Sequence, residues 1–415
     1  MRMPVSESVP PRHRAAVSPG IGVGRVGGLA VALGIGVGLA VAPWQASAET
    51  TADTTAASQH TSGAGSKVNV SVSVGGVRIA QQGTASASSK PGSIAVAFGD
   101  GSSATSDGFL SSAVVIGNNS TAQATGGNVN TARVIGDNSG AFATGGSFNT
   151  VVVRGNRSIA SASAGADPVA AQCGHARVVG CNTVVVVGDN SGAVARGSGN
   201  TARVTGNQSS ATVRGTASSA VVRGDHSEAA AGGPGSTNNN ATVNGDNSRA
   251  SAGYGTDNSN NTATVEIDNG QAFAGNGTNN TDNTASITNS GTVDGGMTVQ
   301  AGNGTGNANN AASVDNSGAI VGAEALAVSA GNGTGNTDNT AAVTNIGSIT
   351  GVDTVAVSVS AGDGTDTINN IVNFTNNGTI SAQGSEALLI VVDSGTADEP
   401  AIVDNENNGD IETNG

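Results

Sequence analysis

Short apolar runs that alternate with polar residues recur along the chain, and Asn- and Gly-rich turns separate them. Asn and Gly enter left-handed backbone conformations at little cost, so an Asn-x-Gly turn marks a corner. The Thr-Ile, Ser-Ile or Thr-Val after such a turn starts a strand whose side chains face alternately in and out. Four of these corners occur in the C-terminal half: NSGTVDGG from Asn289, NSGAIVG from Asn316, NIGSITG from Asn345 and NNGTISAQG from Asn376.

A second marker, AGNGT or AGDGT, lies between these corners. It begins at Ala274, Ala301, Ala330 and Ala361, in steps of 27, 29 and 31 residues. A repeat of this length, made of a strand, a turn, a second strand and a polar turn, predicts one coil of a solenoid. Stacked coils pair each strand with its equivalents above and below. The Asn at the corner is expected to form a hydrogen-bonded ladder with its copies.

A shorter repeat precedes this one. Gly117, Gly136 and Gly155 are 19 residues apart in similar surroundings, and Gly188 and Gly206 are 18 apart. The sequence therefore predicts short coils over residues 93–256 and long coils over residues 257–393. Five arginines in the short repeat are expected to face outward at strand edges, where charge discourages slipping and lateral pairing. They are Arg133, Arg154, Arg177, Arg203 and Arg223.

The segments outside the repeats have other signatures. Residues 1–48 combine arginines, an apolar stretch over 28–42 and an A-x-A site, which predicts an export signal cleaved after Ala48. An uncleaved membrane anchor is the alternative, although the apolar stretch is short for a span. Residues 49–92 are predicted to be a Ser/Thr/Ala-rich spacer with one short strand, where Val68 to Val74 alternate with polar residues, and a loop over 81–91. Residues 394–415 are expected to be an acidic cap or tail.

Composition narrows the fold class. The 415 residues include 64 Gly, only 2% are aromatic and 11% are charged. Val, Ala and Ile fill a narrow solenoid better than a thick globule, and runs such as VVVV from Val184 disfavour disorder. The expected fold is all-β, a parallel β-helix with short coils followed by longer coils.

The charge balance bears on partners. Without residues 1–48 the chain has 12 basic and 29 acidic residues, and no Lys or Arg follows Arg249. Such acidity disfavours nucleic acid and anionic membranes as partners, so membrane contact is expected only through an uncleaved leader. Solubility and suppression of lateral aggregation explain the acidic half more simply than cation binding.

Three stretches resemble known families. The Asn-x-Gly-x-Ile repeats resemble the passenger regions of haemagglutinin and autotransporter-type bacterial adhesins, which are parallel β-helices. SIAVAFGDGSSATSDG from Ser93 and SSAVVIGNNSTAQATGG from Ser111 are similar to head repeats of trimeric adhesins. The leader run VGRVGGLAVALGIGVGLAVA from Val23 resembles actinobacterial export signals. The resemblance implies an adhesin-like role at a cell surface. No amphipathic barrel strands close the chain, so the resemblance does not extend to a complete autotransporter.

Two places deserve a chemical interpretation. Cys173 and Cys181 lie close together in CGHARVVGC, which predicts a disulfide in an exported chain. A metal site with His175 is the weaker alternative, because two Cys and one His are too few ligands for a closed zinc site. AGDGTDTIN from Ala361 is similar to calcium β-roll repeats, but no tandem copy follows, which favours an ordinary turn with Asp366 as a single carboxylate.

Catalytic clusters are not apparent in the sequence. Glycan-cleaving β-helices need grouped carboxylates or basic residues on one strand face, whereas the acidic residues here fall singly. We therefore expect no catalytic residues, cofactor or metal. The prediction is a secreted or cell-surface, non-enzymatic structural or adhesin-like solenoid with host or cell-wall surface ligands. A calcium-stabilised repeat protein and a glycan-binding or glycan-cleaving β-helix are the alternatives.

Overall fold

The computed structural model consists of stacked β-strands, and no helix occurs among the residues it describes. The described residues are 69–99, 102–107, 109–117, 121–125, 129–136, 140–144, 149–154, 159–163, 182–188, 191–196, 200–215, 218–232, 238–256, 258–266, 270–352, 355–383, 386–393, 395–396 and 399–414. Their strands form a parallel β-helix, as the repeats predict.

Two long sheets run through the stack, one with 16 strands and one with 14. At about 4.8 Å per strand, the 14 strands of the second sheet extend over roughly 60 Å. The first sheet contains, in spatial order, Gln81–Gln82, Val70–Ser73, Ala95–Phe98, Leu110–Ile116, Val129–Ile135, Thr150–Arg154, Thr183–Val187, Thr201–Thr205, Ser219–Arg223, Asn240–Asn244, Ser259–Glu266, Thr281–Asn289, Ala308–Asn316, Thr337–Asn345, Ile368–Asn376 and Ile402–Asn407.

The second sheet packs against the first across the core. Its strands are Ser86–Ser89, Ser103–Asp107, Thr121–Thr125, Gly140–Thr144, Ile159–Ser163, Gly192–Arg196, Ser210–Arg214, Glu228–Ala231, Arg249–Ala252, Gln271–Ala274, Met297–Ala301, Leu326–Ala330, Val355–Ala361 and Glu386–Val392. Each strand pairs in parallel with its neighbours in the sheet, so equivalent residues of successive coils lie above one another.

Smaller sheets form the corners of the later coils. The third sheet contains Gly255–Thr256, Gly277–Thr278, Gly304–Thr305, Gly333–Thr334 and Gly364–Thr365. The fourth sheet contains Thr292–Asp294, Ala319–Gly322, Ser348–Gly351, Thr379–Gln383 and Asp410–Asn414. Gly395–Thr396 and Glu399–Pro400 pair antiparallel as a separate ribbon.

We call the strands from Ala95–Phe98 to Arg249–Ala252 the short-coil region. Its core is two residues deep, because inward alanines of the second sheet meet inward alanines and valines of the first sheet. Ala193 and Ala195 are fully buried, as are Val184 and Val186. Alternation along each five-residue strand places these small side chains inside and the polar ones outside. The narrow core explains why a chain with so few aromatic residues folds here.

We call the strands from Ser259–Glu266 to Glu386–Val392 the long-coil region. Larger apolar side chains are buried there, including Met297, Leu326, Ile349 and Phe374. The lengthening is gradual. Ala263 pairs with Ala285, 22 residues later, and the first 27-residue step joins Ala285 to Ala312. The third sheet accompanies the 22-residue coil, and the fourth sheet accompanies the 27-residue coil.

The first strand and the segment after it differ from the predictions. A strand does occur at Val70–Ser73, but Ser71 and Ser73 are buried and the valines are only half-buried. The two serine hydroxyls donate to backbone carbonyls of the strand Ser86–Ser89, which satisfies them inside the stack. That strand lies in the stretch predicted as a loop, so the loop prediction for 81–91 was wrong. Its small serines lack the apolar signal of a strand.

The C-terminal residues continue the stack. Ile402–Asn407 pairs in parallel with Ile368–Asn376, and Asp410–Asn414 pairs with Thr379–Gln383. The insertion between Ser163 and Asn182 does not interrupt the sheets, because Val151 pairs directly with Val184 across it.

Candidate functional site: polar ladders and outer faces

The corner asparagines form the ladder that the sequence predicts. The side-chain amides of Asn289, Asn316, Asn345 and Asn376 each donate to the side-chain carbonyl of the next coil at 2.7 Å. The last acceptor is Asn407. Because each buried amide has both a donor and an acceptor partner, the column closes the corner without leaving polar groups unsatisfied.

A second, longer column of asparagines was not predicted. It lies inside the start of the first-sheet strands from Val129–Ile135 to Ile368–Asn376, with one exception, and every member is at most 1% exposed. Hydrogen bonds of 2.7 to 2.9 Å between side-chain amides join its C-terminal members, from Asn239 to Asn370. The column, which we call the inner Asn column, contains Asn130, Asn149, Asn182, Asn200, Asn239, Asn261, Asn283, Asn310, Asn339 and Asn370. Ser218 occupies the place between Asn200 and Asn239.

The inner Asn column explains the first glycine of the AGNGT marker. Gly302 and Gly331 have φ of 61° and 64°, in the left-handed region. A Cβ on Gly302 would lie 1.6 Å from Asn310 Oδ1, and one on Gly331 would lie 1.6 Å from Asn339 Oδ1. Only glycine fits a position that needs both a positive φ and contact with a buried amide. The AGNGT marker and the inner Asn column are therefore parts of one packing arrangement.

A third polar column is exposed. It alternates amide and carboxylate, in the order Asn260, Asp282, Asn309, Asp338 and Asn369, with φ between 52° and 56° throughout. Asn309 donates to Asp282 at 2.8 Å, and Asn369 donates to Asp338 at 2.8 Å. Alternation keeps like charges two coils apart, where repulsion between exposed groups is weak.

Charge is segregated along the outward side of the first sheet, which we call the first-sheet outer face. The strands from Leu110–Ile116 to Ser219–Arg223 contain four arginines and no carboxylate. The strands from Ser259–Glu266 to Ile402–Asn407 contain six carboxylates and no Lys or Arg. Between them, Asn240–Asn244 contains neither. The arginines are Arg133, Arg154, Arg203 and Arg223, and the carboxylates are Glu266, Asp282, Asp315, Asp338, Asp404 and Glu406.

These charged groups are accessible. Arg154, Arg203 and Arg223 are exposed and Arg133 is half-buried, which places the four described arginines of the sequence prediction on the outside. The six carboxylates are exposed. The second sheet mixes its charges instead, since Glu228 pairs in register with Arg249 and Arg196 pairs with Arg214. The first-sheet outer face is thus the surface with an ordered charge pattern.

The calcium-like turn has the isolated geometry expected from its sequence. Asp366 follows Gly364 and Thr365, which pair with Gly333 and Thr334, so its equivalent in the coil above is Gly335. Carboxylates therefore do not stack in this column. Within the described ranges, no group of three or more His, Cys, Asp or Glu residues is arranged to hold a metal ion.

Other predicted features lie outside the described residues. They include the cleavage site after Ala48, the pair Cys173 and Cys181 with the neighbouring His175, and Arg177. In the part of the chain that is described, no helix is both long and apolar enough to cross a membrane.

Sequence reasoning missed the inner Asn column although a signal for it exists. Asn directly precedes the Thr or Ser that starts the apolar run in NTARV, NTVVV and NTATV. Such an Asn was interpreted as turn polarity, whereas its place two residues before an inward Ala or Val puts it on the inward face of the strand. Comparisons with protein-family models, curated proteins and solved structures found no match to this chain.

Proposed function

We propose that the protein is an exported, non-enzymatic structural module that acts as an adhesin-like rod at the cell surface or in the secreted fraction. The observation that carries this proposal is the register of the stack, which repeats the outward side chains of each strand from coil to coil. A rigid rod of this kind presents shallow binding groups in rows rather than in one pocket.

Binding by such a rod depends on repetition. The coils offer small hydroxyl and amide groups, for example Thr298, Gln300 and Ser329 on the outward side of the second sheet. A single coil gives little affinity, but a polymeric ligand at a host or cell-wall surface contacts several coils at once. The carboxylates of the first sheet, which lie one or two to a strand, and the turn geometry of Asp366 support a structural role rather than hydrolysis or calcium-dependent folding.

The experiment that tests this proposal has two parts. Whole cells producing the protein are treated with protease, and the released chain is sequenced from its N-terminus. We expect every released fragment to begin at residue 49 or later, because the leader is removed after Ala48. A protein found wholly inside the cell would contradict the proposed location. The purified chain is then incubated with excess chelator and measured by far-ultraviolet circular dichroism. We expect the signal of β-structure to remain unchanged. Loss of that signal would assign the rod to a calcium-stabilised class.

A further inference from the structure

We infer that two copies of this chain pair side by side through the first-sheet outer face, with their coil orders reversed. In this arrangement the arginine-bearing strands of one copy lie over the carboxylate-bearing strands of the other, and the reverse holds at the same time. The contact is self-complementary about a two-fold axis, which is the commonest symmetry of soluble dimers.

The spacing of the charges supports this arrangement. Counted in strands from Asn240–Asn244, Arg223 lies one before and Glu266 one after, in the same column. Arg203 lies two before, and the strand two after carries Asp282, four residues from the column of Arg203. A two-fold axis through Asn240–Asn244, parallel to the strands, superimposes positions at equal distances on either side. Arg223 thus faces the column of Glu266, and Arg203 faces a strand that carries a carboxylate farther along its length.

A third arginine also faces the acidic half of the partner. Arg154 is four strands before Asn240–Asn244, and the strand four after it carries Asp338, six residues from the column of Arg154. The arginines make no ion pair with a described residue of their own chain, so their donors are available to a partner. The reversed coil order is the one that matches charges, because equal coil order would place arginine on arginine.

The face also has an area and a side-chain composition that suit an interface. A strip roughly 60 Å long and about 17 Å wide covers about 1,000 Å² per copy, comparable with the area that a specific dimer buries on each partner. Between the charges its side chains are small, such as Val185, Val221 and Thr242. Two such sheets can approach to about 10 Å, the usual separation of stacked sheets.

Sedimentation equilibrium of the full chain at low and high salt tests the pairing. We expect a dimer in about 20 mM salt that weakens by about tenfold or more near 500 mM, because attraction between exposed charges of opposite sign aligns the two faces and salt screens it. A monomer at low salt and tens of micromolar protein overturns the inference. If that monomer bound a sulfated polysaccharide through the same arginines, the face would belong to a polyanion instead.

Charge reversal provides the sharper test. The double variant Arg203→Glu with Arg223→Glu is expected to be monomeric, and so is Glu266→Arg with Asp282→Arg. An equimolar mixture of the two variants should recover a dimer, because each face then finds its complement. The matched control is Arg196→Glu with Arg214→Glu, the same charge change on the second sheet, which should leave the wild-type dimer intact.

A readout without substitution guards against misfolded variants. Arginine modification followed by mass spectrometry should label Arg203 and Arg223 slowly at low salt and faster at high salt. Arg196 and Arg214 should react at the same rate in both conditions. Equal protection of all four arginines would place the contact elsewhere and overturn the inference.

Discussion

The short-coil and long-coil regions both bury apolar side chains between two sheets, in cores of different width. In the short-coil region two five-residue strands face each other, and Ala and Val fill the space between them. In the long-coil region the first-sheet strands reach nine residues, two corner sheets are added, and Ile, Leu, Met and Phe become buried. The wider core is therefore accompanied by the two added corners.

The difference teaches how polar groups limit a solenoid's width. A corner turns the backbone, and its amides must be satisfied where water is excluded. The short-coil region closes its cross-section with the inner Asn column and a serine column, in which the Ser191 amide donates to Ser209 and the Ser209 amide donates to Ser227. The long-coil region adds the corner ladder from Asn289 to Asn376. More apolar volume thus requires more buried amides.

The largest expected effect concerns core width. Phe374→Ala should lower the free energy of unfolding by about 3–5 kcal/mol, because a fully buried ring leaves a large cavity. Val222→Ala, the matched change in the short-coil region, should cost about 2 kcal/mol for two lost carbons. Urea titration of both variants measures the two losses. Equal losses would show that the two cores do not differ in how much each coil buries.

The next effect tests the link between glycine and the inner Asn column. Gly302→Ala should destabilise the protein by about 2–4 kcal/mol, since a methyl group would both strain the backbone and collide with Asn310. Gly335→Ala is the control, because its φ of 65° is similar but nothing lies within 4 Å of the added carbon. The control should lose only about 1–2 kcal/mol for the backbone strain. Thermal unfolding compares the two variants. Equal losses of stability would show that the collision with Asn310 contributes nothing.

The comparison also shows what the sequence could and could not reveal. The corner ladder was predictable because Asn345 stands two residues before Gly347 in a motif that repeats at a countable interval. Stacking then follows from backbone pairing alone. The inner Asn column was not recognised, because Asn130 or Asn200 before a strand has the same local appearance as a solvated turn. Only the register shows that these residues are inside.

Inward serines posed the same difficulty. Ser71 and Ser73 point inward because their hydroxyls reach backbone carbonyls across the narrow stack, a three-dimensional condition that local alternation does not encode. The segregation of Arg from Asp and Glu was visible as the absence of basic residues after Arg249. Its confinement to one face became clear only once the strands were assigned to sheets.

A smaller effect separates buried from exposed ladders. Asn310→Ala should cost about 1–3 kcal/mol, because Asn283 loses its acceptor and Asn339 loses its donor inside the core. The neighbouring Asn309→Gly keeps the positive φ and removes only an exposed bond to Asp282, so we expect a change within about 0.5 kcal/mol. Urea midpoints of the two variants test this. If Asn309→Gly lowered the free energy of unfolding as much as Asn310→Ala, burial would not decide how much a ladder stabilises the protein.

The smallest effect is expected from a substitution that would join the two halves of the inner Asn column. Ser218 donates to the carbonyl of Gly215, and among the described residues Asn239 Oδ1 has no hydrogen-bond partner although it is buried. An amide at position 218 would point at that oxygen, so Ser218→Asn should raise the free energy of unfolding by about 0.5–1.5 kcal/mol. Ser219→Asn, one residue along on the outward side, should leave stability within about 0.5 kcal/mol of wild type. If Ser218→Asn lowers the melting temperature, the narrow coil has no room for the amide, and the serine marks the place where the short-coil core reaches its minimum width.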